Sequence, residues 1–162
     1  MKALKLGLLF TALVSAPAFA QSTFSLGYSF SKVEDVNLKG FNAQYRYEWN
    51  SPMSIVVSAS RLSGDEKYSD GAVDVKYTSL LAGPAYRFND FVSVYGLTGF
   101  TKATAEENDV GYHYKDTKTA FAYGVGVQVN LTQNLAAHVG YEGSKIVEAK
   151  ANGFNIGVGY RF

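Results

Sequence analysis

Six charged or amide side chains each follow an aromatic or aliphatic residue, and they are the residues of this chain best suited to chemistry. Arginine and glutamate in such a setting either form an ion or proton path or pair with one another, because an unpaired charge in an enclosed space is costly. The paired, structural interpretation is favoured if the enclosing structure is narrow. The six residues are Arg46, Glu48, Arg87, Gln128, Glu142 and Arg161.

The rest of the chain offers little for catalysis or metal binding. It has two histidines, His113 and His138, and no cysteine. Neither histidine has serine and aspartate partners at a recognisable catalytic spacing. The sequence also lacks a cluster of metal ligands and a glycine-rich phosphate loop. We therefore predict no catalytic residue, no metal site and no cofactor, and a protein that is not an enzyme.

Alternation of large apolar residues with small or polar ones predicts the strands that position these side chains. The pattern is strictest in the last segment, where Phe154, Ile156 and Val158 alternate with small or polar residues. Eight segments are predicted to be strands: Thr23–Ser31, Lys39–Glu48, Ser54–Leu62, Lys76–Phe88, Phe91–Thr101, Thr119–Val129, Leu135–Lys145 and Phe154–Phe162.

Short turns and longer polar connections alternate between these segments. This asymmetry is typical of outer-membrane barrels, which have short periplasmic turns and longer extracellular loops. The predicted turns are Asn50–Pro52, Asn89–Asp90 and Thr132–Asn134. The predicted loops are Lys32–Leu38, Ser63–Val75, Lys102–Lys118 and Ile146–Ala151.

The composition of the two strand faces separates a membrane barrel from a soluble one. A soluble eight-stranded barrel or sandwich would point its large apolar face inward and a charged face outward. Here the polar face carries mostly Gly, Ser, Ala and Gln, which suit the interior of a narrow barrel. The sequence predicts an all-β fold: an eight-stranded antiparallel transmembrane β-barrel with three short periplasmic turns and four extracellular loops.

Residues 1–20 have the pattern of a secretory signal peptide, which leaves residues 21–162 as the barrel domain. Lys2 and Lys5 precede the apolar run Leu6–Val14, and Ala18 and Ala20 form a small-residue cleavage site. A transmembrane anchor is the alternative, but the run is shorter than the ~18–20 residues of a spanning helix. Cleavage after Ala20 would change the net charge from +1 to −1. A nucleic-acid-binding protein usually has an excess of positive charge, so we predict no nucleic-acid partner.

In a barrel of this kind, the inward side chains should form a plug. We expect Arg46, Arg87 and Glu142 in one hydrogen-bonded network, with Glu48 and Arg161 near the periplasmic mouth. Aromatic residues near the short-turn end should form a girdle at the membrane interface, although aromatics also favour strands in general. The girdle residues are Phe24, Tyr47, Trp49, Tyr86, Phe91, Tyr160 and Phe162.

The two longest predicted loops contain candidates for surface contacts. Exposed aromatics beside lysines are typical of interface hot spots. The alternative is that they belong to an ordinary surface loop with no binding role. The flanks of the third loop, Lys102–Ala105 and Tyr112–Lys118, could instead extend their strands and recruit a partner strand. The candidates are Tyr68, Tyr112, His113, Tyr114, Lys115 and Lys118.

Several motifs carry a resemblance to a known family. They are Gly40-Phe41-Asn42, Tyr45-Arg46-Tyr47-Glu48, Asn50-Ser51-Pro52, Ala82-Gly83-Pro84-Ala85-Tyr86-Arg87, Asn89-Asp90, Ser93-Val94-Tyr95-Gly96, Tyr123-Gly124-Val125-Gly126, Tyr141-Glu142 and Gly157-Val158-Gly159-Tyr160-Arg161-Phe162. In this order they resemble the outer membrane protein X / Ail / Lom family. Among the members of this family, the resemblance is strongest to outer membrane protein X.

The resemblance implies an exported outer-membrane barrel whose terminal aromatic is read by the barrel assembly machinery. It also implies adhesion to host cells or matrix, invasion, or binding of serum proteins that gives complement resistance. Ser63–Val75 is shorter than in strongly adhesive members, which argues against a potent adhesin. The alternative is a structural envelope protein that contacts outer-membrane lipid and lipopolysaccharide; a lipid-active barrel enzyme is a weaker third.

Overall fold

The computed structural model describes residues 21–33, 36–49, 51–68, 71–109, 112–146 and 149–162. Within residues 65–73, 107–115 and 146–149 it describes the backbone of the strands and not the side chains. The predicted signal peptide lies outside the described residues. In the part of the chain that is described, no helix is long and apolar enough to cross a membrane.

Eight strands form one closed antiparallel barrel in the order of the sequence. Each overlaps one of the predicted segments, and β8 closes the barrel by pairing with β1, from Thr23–Arg161 to Val33–Ala151. The predicted fold class is confirmed. The strands are β1 (Gln21–Val33), β2 (Val36–Glu48), β3 (Met53–Tyr68), β4 (Gly71–Arg87), β5 (Val92–Asp109), β6 (Tyr112–Asn130), β7 (Leu135–Ile146) and β8 (Ala149–Arg161).

Burial alternates along each strand, because successive side chains point to opposite faces of the sheet. In β3 the serines Ser54, Ser58 and Ser60 are buried, whereas Ile55 and Val57 are exposed. Large apolar side chains therefore cover the outside of the barrel and small or polar ones line the inside. This arrangement is inverted with respect to a soluble barrel, and it is stable when hydrocarbon surrounds the outer face.

The inside of the barrel also has an apolar part. Val56, Leu81, Tyr95 and Leu97 are buried together with two alanines in one cluster. The Tyr95 ring extends from β5 over Gly126, where an added Cβ would overlap the phenol. Side chains from one strand thus fill the interior space next to glycines of a neighbouring strand, as expected for a barrel too narrow to leave a wide channel.

The short turns at the end of the barrel that carries Gln21 and Phe162 are held by side-chain hydrogen bonds. Asn89 Oδ1 accepts hydrogen bonds from the amides of Phe91 and Val92, each at 2.8 Å. Thr132 Oγ1 accepts from the amide of Leu135 at 3.0 Å. Both residues are turn formers that satisfy backbone donors beyond the end of the ladder.

The long loops predicted at the other end are wrong in extent. Most of their residues continue the strands, so that β5 and β6 pair from Val92–Val129 up to Asp109–Tyr112. Likewise β3 and β4 pair up to Tyr68–Gly71. The polar composition of these segments suggested loops, but a hairpin surrounded by water has no need of apolar alternation.

Candidate functional site

Three guanidinium groups converge on one carboxylate at the short-turn end of the barrel interior. Glu48 Oε1 lies 3.4 Å from Arg46 Nε. Glu48 Oε2 lies 3.5 Å from Arg87 Nη1 and 3.3 Å from Arg161 Nη2. We call these four residues the mouth cluster. They come from β2, β4 and β8, so the cluster links strands that are not neighbours.

Burial of the mouth cluster is uneven. Arg46 is 1% exposed, and its Nε also donates a 2.9 Å hydrogen bond to Ser54 Oγ. The side chain of Arg87 is 29% exposed and reaches the opening of the barrel. A buried ion pair recovers its desolvation cost only with good geometry and full hydrogen bonding. The cluster therefore makes the barrel sensitive to the loss of its single shared carboxylate.

Glu142 lies outside the mouth cluster, which corrects the predicted network of Arg46, Arg87 and Glu142. It accepts a hydrogen bond from Tyr77 Oη at 2.9 Å, and the same hydroxyl lies 3.4 Å from Ser144 Oγ. Arg46 and Arg87 instead pair with Glu48. Strand alternation correctly places all three side chains inside, but their height depends on the stagger of the strands, which alternation does not reveal.

The remaining predicted interior residue, Gln128, also has local partners. Its amide donates to Asn130 Oδ1 at 3.3 Å, and Asn130 donates to the carbonyl of Asp90 at 3.0 Å. Farther up the barrel, Asn42 Nδ2 lies 3.3 Å from His138 Nε2. The interior therefore holds several separate polar groups, and the Asn42–His138 contact between β2 and β7 supports the structural interpretation over an ion path.

Four strands continue beyond the rest of the barrel at the end opposite the short turns. The β6–β7 pairing extends outward only to Ala122–Ser144, and the β2–β3 pairing only to Lys39–Ser63. Residues 64–68, 71–75, 100–109 and 112–121 therefore form an outer sheet. In the described registers, residues 112–121 of β6 pair with β5 alone. We call this segment the β6 edge.

The predicted surface residues belong to the outer sheet, not to loop tips. Tyr68 ends β3, and Tyr112, His113, Tyr114 and Lys115 begin β6, where each pairs with a residue of β5. Their side chains lie outside the described residues. Lys118 lies in the β6 edge, is exposed, and contacts Asp116 at 3.5 Å.

The predicted girdle aromatics lie at the short-turn end of the barrel. Tyr47 packs edge-to-face on Trp49 with ring centroids 5.5 Å apart, and Tyr160 stacks on Phe162 at 6.3 Å. Tyr86 and Phe91 are exposed on the outside, whereas Phe24 is half-buried. This position suits amphipathic rings at a membrane interface.

Sequence reasoning missed a second apolar group under the outer sheet. Leu38, Leu62, Tyr77 and Ala151 are buried together inside the barrel. Three of them fell within or beside segments interpreted as loops. Leu62 and Tyr77 are directly opposite in the β3–β4 register and lie within predicted strands. Leu38 and Ala151 lie in segments interpreted as loops, so continuing the strand alternation through those segments is the signal that could have identified the group.

Comparison with known proteins agrees with this architecture. A family model described as outer membrane protein beta-barrel domain matches residues 6–162. The chain is 45% identical over 161 residues to virulence membrane protein PagC of Salmonella typhimurium, covering 87% of this chain and 86% of PagC. It is 34% identical over 165 residues to outer membrane protein X of Escherichia coli, covering 100% of this chain and 96% of that protein. The identity with PagC is thus higher than with outer membrane protein X, to which the motifs pointed.

A solved structure extends the similarity to three dimensions. The crystal structure of Ail, the attachment invasion locus protein of Yersinia pestis, in complex with the heparin analogue sucrose octasulfate has a TM-score of 0.84 and 36% identity. The match covers 88% of this chain and 99% of Ail. The chain belongs to the outer membrane protein X / Ail family of bacterial outer-membrane β-barrel proteins, whose members include virulence and adhesion-type proteins.

Proposed function

We propose that this barrel is a non-enzymatic surface protein whose outer sheet binds a host-cell, matrix or serum protein. The observation that carries the proposal is the β6 edge, whose residues 112–121 pair with β5 and have no β7 partner in the described registers. An edge strand offers a row of backbone donors and acceptors to an incoming strand. The attachment and virulence names of the relatives support the same role.

The β6 edge is supported by cross-strand contacts that hold the outer sheet together. Thr104 Oγ1 and Thr117 Oγ1 lie 3.2 Å apart, and Lys76 Nζ pairs with Glu106 Oε2 at 3.0 Å. Such pairs stabilise neighbouring strands by roughly 0.2–1 kcal/mol each. The edge is therefore presented on a pre-formed sheet, which lowers the entropy lost when a partner strand binds.

Shortening the β5–β6 hairpin tests this role. Replacing residues 103–118 by Asn-Gly would close a two-residue hairpin above the Lys102–Thr119 pair, remove residues 112–118 of the β6 edge and leave the register below it intact. Binding of matrix glycoproteins and serum proteins to the purified barrel should fall at least about tenfold. The loss should be specific, because the membrane-spanning pairs remain.

The matched control shortens the neighbouring hairpin. Replacing residues 67–72 by Asn-Gly closes β3–β4 above the Glu66–Val73 pair and leaves the β6 edge unchanged. This variant should bind as the parent does. Full binding by the 103–118 variant would refute the role of the β6 edge, and loss of binding only in the control would place the contact on β3.

The alternative, a structural role in the envelope, is supported by a basic row on the outer face. Lys39, Arg61 and Lys102 are exposed there. Lys39 and Lys102 lie two residues outward of Phe41 and Phe100, both strongly exposed. Cations just above an aromatic band suit the phosphate groups of lipopolysaccharide in the outer leaflet, because desolvated phosphate contacts are strong.

Bilayers of different composition test the envelope role. Adding lipopolysaccharide to phosphatidylcholine bilayers should raise the thermal stability of the folded barrel. The increase should shrink in an Arg61→Gln, Lys102→Gln double variant and persist in Lys118→Gln, since Lys118 alternates to the opposite face of the sheet. An equal increase in all three proteins would contradict lipopolysaccharide binding by this row.

A further inference from the structure

An open cavity of about 490 Å³ lies beside the mouth cluster at the periplasmic end of the barrel. This volume falls within the roughly 300–1,000 Å³ of small-molecule sites. Its walls come from the ends of β1, β4, β6 and β8 and from the turns that follow β4 and β6, and they consist mainly of polar side chains. The polar lining residues are Gln21, Arg87, Asp90, Asn130, Thr132, Gln133 and Arg161.

The electrostatics of this cavity favour an anion. Arg46, Arg87 and Arg161 share Glu48 as their carboxylate, which leaves the mouth cluster with more positive than negative charge. Asp90 is the one acidic residue lining the cavity among those described, so the surrounding charge stays positive. Excess positive charge at a low-dielectric wall attracts oxyanions.

Hydrogen bonding gives a second and independent reason. Arg161 is 9% exposed and lines the cavity, yet its Nε has no hydrogen-bond partner among the described residues. Arg46 Nη1 and Nη2 are likewise buried without a hydrogen-bond partner among the described residues, and Glu48 Oε1 is the one acceptor of the mouth cluster in the same condition. A buried donor of a charged group is costly to leave unsatisfied. The mouth therefore has donors in excess of acceptors.

We propose that the periplasmic mouth binds a small molecule through its carboxylate or phosphate group, held between Arg87 and Arg161. Arg87 presents the more accessible guanidinium and Arg161 the more deeply buried one. Planar guanidinium groups match the two oxygens of such ligands. Asn130, Thr132 and Gln133 supply neutral polar groups around the rest of the ligand. This site faces the periplasm, so it is independent of the surface-binding role of the outer sheet.

Asp90 provides a control that acts in the opposite direction. Its carboxylate lines the same cavity and should repel the ligand. Asp90→Asn therefore should tighten binding roughly two- to fivefold, as expected for removal of one partly screened charge. Arg87→Gln and Arg161→Gln should each weaken binding about tenfold, since each removes charge-assisted hydrogen bonds.

The experiment is a titration of the isotope-labelled barrel, folded in lipid nanodiscs, followed by NMR signals of the arginine Nε–H groups and the Thr132 and Gln133 amides. Inorganic phosphate and N-acetylalanine are the two probes, and the tighter one identifies the ligand chemistry. Lys145→Gln, at the other end of the barrel, should leave both titrations unchanged.

The variants distinguish a specific binding site from the outcome in which an adventitious ion only is bound. Saturable shifts that weaken in Arg87→Gln and strengthen in Asp90→Asn support the site. Shifts that do not saturate with either probe, or that are the same in wild type and Asp90→Asn, overturn it. Because Arg161→Gln could impair folding, the decision rests on Asp90→Asn and the partly exposed Arg87→Gln, with the folded state verified from the dispersion of the amide signals.

Discussion

Glu48 is the side chain on which the interior electrostatics of this barrel converge. Its two oxygens contact guanidinium groups from β2, β4 and β8 at 3.3–3.5 Å, while its own side chain is 4% exposed. Removing one partner of a buried ion pair is far more damaging than replacing the whole pair with apolar residues. We therefore expect the loss of Glu48 to destabilise the barrel more than the loss of the other interior glutamate, Glu142.

Substituting Glu48→Gln should reduce the free energy of unfolding by about 3 kcal/mol, because three guanidinium groups lose their shared carboxylate. Urea unfolding in lipid vesicles, followed by tryptophan fluorescence, measures the change. Glu142→Gln is the matched control and should cost less than about 1.5 kcal/mol, since an amide oxygen can still accept from Tyr77. Equal losses in the two variants would contradict the mouth cluster, and binding by the outer sheet should be unaffected in both.

A second residue-scale prediction concerns the contact between Tyr95 and Gly126. An added Cβ at Gly126 would overlap the Tyr95 phenol, so Gly126→Ala should destabilise the barrel by roughly 1–3 kcal/mol through overpacking. Unfolding of the single and double variants in vesicles measures the coupling. Combining Gly126→Ala with Tyr95→Leu should cost less than the sum of the two single losses. Additive losses would show that the two residues do not compete for this space.

At the scale of the elements, the strands extend well beyond the alternating segments. β5 and β6 are 18 and 19 residues long, whereas β1 and β2 are 13 each. The alternating part of each strand indicates the part that lies in the membrane, because every second side chain must be apolar only where the outer face contacts lipid. Where the hairpins leave the membrane, water replaces lipid and the alternation fades, although backbone pairing continues.

Hydrogen exchange should distinguish the β6 edge from the rest of β6. Backbone amides in residues 112–121 should alternate between slow and fast exchange, since every second N–H faces β5 and the others face away from it. Amides of residues 122–129 should all exchange slowly, because β5 and β7 pair with them from both sides. Amide exchange of the folded barrel followed by NMR measures this, and uniform protection across residues 112–121 would contradict an open edge.

At the scale of the whole molecule, the fold has an apolar exterior and a filled, partly polar interior. Along β8, Ile156 and Val158 are exposed while their neighbours Asn155 and Gly157 are buried. This distribution is stable only with hydrocarbon outside. Closure through β1 and β8 also pairs the backbone around the barrel, which a lipid environment requires.

Depth in the membrane can be tested along the outer face. Val158 lies between the exposed aromatics Phe154 and Phe162, and we expect it near the middle of the bilayer. Val158→Arg should lower the free energy of unfolding in vesicles by roughly 2–4 kcal/mol. Thr119→Arg, which lies opposite Lys102 at the outer boundary, should cost less than about 1 kcal/mol. A smaller cost at Val158 than at Thr119 would contradict this placement.

Local patterns in the sequence were sufficient to predict the number of strands, their order along the chain and the face on which each side chain lies. Those properties follow from local alternation and from turn residues such as Asn89 and Thr132. It also identified the family, because strand and turn motifs occur in a specific order. The alternation predicted for the last segment is confirmed, since Phe154, Ile156 and Val158 are all exposed.

The three-dimensional structure was needed to establish which inward side chains contact one another and how far the hairpins extend beyond the barrel. Contacts across a barrel depend on the stagger accumulated around all eight strands, so Glu48 rather than Glu142 meets Arg46 and Arg87. The β6 edge depends on where the β7 pairing stops, at Ala122–Ser144. Both properties are relations between distant segments, and a pattern with a period of two residues contains no information about them.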